Sequence, residues 1–177
     1  MRRSLVPATV IAAASLFIAG GITLAAQDRS TLKIPDGLAF SEFKGYEAWQ
    51  VVAPSQVPDG LKIISANAVM MKAYRAGLPA AGKTFPEGSK IVKIEWAQKQ
   101  NPESPYPVMV PGVLMSVSFI EKDSKRFPKT HGWAYAQFLY DAPSGTLKPS
   151  GSGAQCGYAC HTAVAAKDYI FTASPPR

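Results

Sequence analysis

Three runs in the second half of the chain carry the two-residue period of a β-strand, and they decide the fold class. Residues 90–97 alternate strictly, with Val92, Ile94 and Trp96 on one face and Ile91, Lys93 and Glu95 on the other. Residues 113–120 and 132–140 read as two more strands, separated by a charged loop around Asp123. The stretch 101–112 is too rich in proline for a central strand and reads as a loop. Helical spacing is clear over residues 67–77. There Ala66, Val69, Met70, Ala73 and Tyr74 fall on one face, with Lys72 and Arg75 away from it. Ser65 or Asn67 can cap its start, and Gly77 followed by Leu78 and Pro79 ends it. The adjacent Met70 and Met71 read as core filling. Upstream, residues 43–52 are aromatic-rich and begin as a helical turn, and Pro54, Pro58, Asp59 and Gly60 mark a loop. Near the end, residues 142–155 form a flexible approach, 162–167 a short helix and 168–172 a final strand. A few helices beside an antiparallel sheet make this a single α+β domain.

The N-terminus is of a different kind. Arg2 and Arg3 precede an apolar run from Leu5 to Ala26, broken only by Pro7, Thr9, Ser15, Gly20, Gly21 and Thr23. Small residues then lead into the polar Gln27, Asp28, Arg29 and Ser30. This is the layout of a secretory signal over residues 1–26, with cleavage near Ala25 or Ala26. The run is also long enough to cross a bilayer, so an uncleaved anchor is the alternative. Either way residues 27–177 are expected outside the cytoplasmic membrane, periplasmic or otherwise exported. Losing the two arginines lowers the net charge from +7 to +5. About 150 residues remain, enough for one domain and its core. Lys122, Lys125, Arg126 and Lys129 interleave with Glu121 and Asp123 and read as a solvated turn. There is no basic stripe with interleaved aromatics, so nucleic acid is not an expected partner.

The chemistry concentrates in Cys156-Gly157-Tyr158-Ala159-Cys160-His161, which holds the only two cysteines of the chain. Two thiols followed at once by an imidazole can bind one haem through thioethers while the histidine reaches the iron. The usual signature has two residues between the cysteines, and here there are three, with Gly157 free to absorb an unusual backbone angle. A Cys156–Cys160 disulfide is the structural alternative in an exported protein, although so short a loop stabilises little and leaves His161 unexplained. Metal binding is a third reading.

Four blocks, in order, resemble the cytochrome P460 family, which includes the β-rich cytochromes c′-beta. They are the helical segment 67–77, the segment 85–93 that opens a strand, residues 122–127 leading into Gly132-Trp133-Ala134, and Cys160-His161 followed by residues 167–172. Together they span about residues 45–172. The resemblance implies an antiparallel sheet with flanking helices, one covalently bound haem c with its iron, and a homodimer. It makes His161 the proximal iron ligand and Cys156 and Cys160 the thioether donors. In the P460 enzymes a lysine is cross-linked to the porphyrin edge, and that position falls on Lys93. Lys93 read from the strand alone is a surface lysine paired with Glu95. Hydroxylamine-oxidising members also place a carboxylate shortly before the Lys122-Asp123-Ser124 block, where this chain has Ser118. A serine can hydrogen-bond a ligand but is no general base near neutral pH, and Glu121 reads as solvated.

Function then turns on the iron's other side. A methionine there favours electron transfer, whereas an open position favours binding or redox chemistry on a small molecule. His131 is expected in a loop and Met115 in the core, on the face of Val113, Val117 and Phe119. The expectation is an open pocket with Ser118 as one polar group, taking nitric oxide, hydroxylamine or another small nitrogen oxide. The redox partner is unknown. The alternatives are a periplasmic electron-transfer cytochrome c and a haem-free disulfide domain.

Overall fold

A computed structural model describes residues 26–153 and 157–176. The expected signal segment lies outside the described residues, apart from Ala26. Six strands follow one another in chain order as a single antiparallel sheet. They are β1 (Gln50–Val57), β2 (Gly60–Ala66), β3 (Lys90–Gln100), β4 (Met109–Lys122), β5 (Trp133–Asp141) and β6 (Thr146–Ser150). One longer helix, α1 (Ala68–Arg75), lies between β2 and β3, and a single turn, α2 (Tyr158–His161), follows the sheet. Among the described residues no helix is long and apolar enough to cross a membrane. The architecture is α+β, as the strand periods imply.

The pleat divides the central strands into two faces, one residue out of phase. On the first, the ladder row Ser65–Val92–Phe119–Ala136 runs across β2 to β5. It is closed by the N-terminal segment, whose Ile34, Leu38, Phe40, Phe43 and Tyr46 pack on Val92, Val117, Phe119 and Phe138. Phe43 stacks on Phe119 at 4.1 Å between centroids, and Phe40 meets Phe119 and Phe138 edge-on at 5.1 Å. On the second, Met70, Met71, Ala73 and Tyr74 of α1 pack with Ile64, Ile91, Phe85, Trp133, Tyr135 and Ile170. Asn67 caps α1 by accepting from the Met70 amide, as its sequence position suggests. Both methionines of the pair are core residues, but Val69 is 41% exposed, because α1 rests on the sheet through Met71 instead.

Several expectations are corrected. Pro54 lies inside β1, and the turn is confined to Pro58 and Asp59. β1 is an edge strand, where a missing amide costs no ladder bond on the open side. The same holds for Pro149 within β6, the other edge. The proline-rich loop is shorter than expected, since β4 begins at Met109. Met115 is not core. Glu95 pairs with Ser116 and Trp96 with Leu114, so Met115 is the extra residue of a bulge and is 41% exposed. Residues 168–172 form no strand, because Asp168 and Tyr169 both take left-handed backbone angles, φ 51° and 63°. The charged turn is solvated only in part. Lys122 is buried against Asp168, and Glu121 is buried against Lys90 on the first face.

Candidate functional site

The part of the second face that α1 does not cover opens into a cavity of about 480 Å³. Its floor is the ladder row Ile64–Lys93–Ser118–Gln137, contributed by β2 to β5. Ile91, Ile120 and Tyr135 form the next row of the same face. The opposite wall comes from the C-terminal segment, through Gly157, Cys160, His161, Phe171 and Thr172. Register thus sets Lys93 beside Ser118 on the floor, and the C-terminal segment brings Cys160 and His161 to the same cavity. Cys156 lies outside the described residues.

His161 is the best-defined group. Its Nδ1 donates to the backbone carbonyl of Tyr169 at 2.5 Å, which fixes the tautomer and leaves Nε2 with a free lone pair. Burial pushes the imidazole pKa down and the nearby Lys93 charge adds to this, outweighing the opposite pull of the Tyr169 carbonyl. The ring is therefore neutral near physiological pH, the form that binds a metal. Tyr135 packs against it at 4.7 Å between centroids and Phe171 meets it edge-on at 4.9 Å. Cys160 sits on the same turn of α2, exposed and, among the described residues, without a disulfide partner.

Gly157 acts by size rather than by backbone angle. Its φ of −95° is open to any residue, but a Cβ there would lie 2.8 Å from the Tyr135 ring. The cysteine–histidine turn thus rests directly on β5. Tyr158, on the same turn, has its hydroxyl 2.6 Å from Nδ1 of His131 and its ring beside Tyr169. His131 sits in a loop outside the cavity lining.

Lys93 pairs with Glu95, as read from its strand, and it also faces the cavity. Its ammonium is 3.6 Å from Glu95, and its side chain lines the cavity directly across the ladder from Ser118. Glu95 is shared with Lys62, at 3.2 Å. Glu121 cannot stand in for Ser118, because it projects from the other side of the sheet. Lys62, Tyr135 and Gln137 were not singled out from the sequence. Gln137 and Lys62 share the phase of Lys93, but only the inter-strand register shows it. The role of Tyr169 rests on its backbone carbonyl, which has no sequence signature.

These features fit a haem. The volume lies within the range that holds organic cofactors, and one wall offers a thiol and a neutral imidazole from adjacent residues. The chain matches no curated protein. The family model of cytochrome P460 matches residues 43–172, most of the chain and all of the elements that build the cavity floor and the histidine wall. The chain belongs to the cytochrome P460 family, which implies a haem cofactor.

Proposed function

We propose that this chain is an exported haem c protein that binds or redox-transforms a small nitrogen oxide, nitric oxide or hydroxylamine. His161 Nε2 would hold the iron, and Cys156 and Cys160 would hold the macrocycle through thioethers. The haem iron supplies a coordination position that exchanges electrons with a bound ligand. The observation that carries the reading is the pairing of a tautomer-fixed His161 with a cavity lined, among the described residues, by no methionine and no second histidine. Met70 and Met71 lie in the core, and Met109 and Met115 are exposed elsewhere. A methionine-ligated electron carrier is disfavoured on that ground.

The protein's own groups then define what can be done to a ligand. Ser118 can donate a hydrogen bond to a nitrogen or oxygen atom held in the cavity, and can accept one from N–H or O–H. It cannot take up the protons released on hydroxylamine oxidation, which favours ligand binding over rapid turnover. Lys93, beside Ser118, is the candidate for a bond to the porphyrin edge. Export and a homodimeric assembly belong to the same proposal.

The test is the visible spectrum of protein exported with haem-maturation machinery, reduced and then titrated with nitric oxide. A reduced c-type spectrum that shifts with about one equivalent of ligand is expected. A strongly red-shifted reduced Soret band would identify Lys93 as cross-linked and make hydroxylamine the first substrate to try. A spectrum insensitive to nitric oxide and carbon monoxide would return the electron carrier, and a colourless protein would sink the haem reading.

A further inference from the structure

Asp168 and Lys122 make a buried ion pair beneath the histidine wall, with Nζ to Oδ1 at 2.9 Å. Each partner is committed further. Lys122 Nζ also donates to the His131 carbonyl at 3.1 Å and lies over the Trp133 ring. Asp168 Oδ2 accepts the Phe85 amide at 2.7 Å. A buried pair is weak evidence of stabilisation, since apolar residues of similar size serve as well, but it defines position closely. What it positions here is specific. Asp168 precedes Tyr169, both hold left-handed backbone angles, and the Tyr169 carbonyl is the acceptor for His161 Nδ1.

We infer that Lys122 and Asp168 are a positioning pair for the iron ligand. Anchored at the end of β4, they hold the 168–169 turn so that the Tyr169 carbonyl stays on His161 Nδ1. A good acceptor at Nδ1 draws the imidazole toward imidazolate and strengthens its donation to iron. The carbonyl's position therefore sets both the ring's orientation and the electron density at the haem. Neither side chain lines the cavity, so the positioning effect passes through the 168–169 backbone to His161. The inference rests on the haem reading proposed above.

The experiment compares haem-loaded wild type with Asp168→Asn, Lys122→Met and Lys122→Arg by resonance Raman and redox titration. Asp168→Asn keeps an acceptor for Phe85, and Lys122→Arg keeps the cation, so at least one informative variant is expected to fold. Weakening the anchor is expected to lower the iron–histidine stretching frequency and raise the midpoint potential in Asp168→Asn and Lys122→Met. Lys122→Arg is expected to stay closer to wild type in both. Folded variants that lose stability yet keep the wild-type frequency and potential would overturn the inference and leave the haem reading intact. A wild-type protein without haem would overturn both.

Discussion

The two faces of this sheet are built from the same strands one residue apart, and they differ in that only the second leaves part of its surface open to a cavity. On the first, Phe40, Phe43, Phe119 and Phe138 interlock and the N-terminal segment seals them from water. On the second, Lys93, Ser118 and Gln137 remain half-buried around a cavity. The first face, with the cluster under α1 on the second, supplies the apolar burial and aromatic contacts that hold the strands in register. The second can then carry a row of polar groups along a cavity, an arrangement that does not itself favour folding. A shift of one residue in any central strand would exchange these roles, so stability on one side fixes chemistry on the other.

The contrast is most easily broken from the packed side. Phe119→Ala removes the ring at the centre of the aromatic cluster and is expected to cost about 3–5 kcal/mol. In a denaturant titration the loss should appear as one lower transition for the whole sheet. Gly157→Ala probes the join between the cavity wall and β5. Its methyl must displace the Tyr135 ring, at a cost of about 1–3 kcal/mol. The expected signature is a lower yield of attached haem alongside the stability loss, measured by absorbance per chain.

Changes on the cavity floor should divide the two properties. Ser118→Ala and Lys93→Met are expected to alter stability by less than about 1 kcal/mol, because neither group is fully buried and the Lys93–Glu95 pair is partly exposed. Both should nonetheless change the spectrum of the nitric oxide complex, and Lys93→Met should abolish any cross-link feature. A large stability loss would mean that the floor is structural after all.

The smallest effect lies at the edge of the packed face. Burial alone would raise the Glu42 pKa, but the Arg126 side-chain hydrogen bond and the Ala39 amide together bring it below the ordinary carboxylate value. A depressed carboxylate contributes stability above its unfolded pKa and loses it as pH falls through the folded value. Arg126→Ala is therefore expected to destabilise by less than about 1 kcal/mol at neutral pH. The difference from wild type should shrink as the solution is acidified through the Glu42 transition, as thermal unfolding across pH 3–7 can measure.

The sequence showed the fold class well because three strands and α1 carry strong periods of their own. It failed where a neighbour decided the outcome. β1 and β6 were missed because Pro54 and Pro149 look like loop residues until the edges of the sheet are known, and β2 because its first residue, Gly60, reads as part of the loop before it. Met115 was assigned to the core by counting twos through a bulge that shifts the phase. Lys122 read as solvated because its partner Asp168 is 46 residues away. At the site, Cys160, His161, Lys93 and Ser118 were legible from motif and family resemblance. Lys62, Gln137 and the Tyr169 carbonyl were not, since the first two need the register and the third is backbone. Chemistry borne by side chains in a short motif can be read from sequence, whereas the surroundings that tune it require the fold.

The most direct measurement is the mass and absorbance, after denaturation, of the chain produced with haem-maturation machinery. A covalent haem site predicts that haem absorbance stays with the unfolded polypeptide and that the mass exceeds that of the polypeptide alone by one haem. Changing both Cys156 and Cys160 to serine should release it. A colourless chain two hydrogens lighter than its reduced form would instead reveal a Cys156–Cys160 disulfide and contradict the haem assignment.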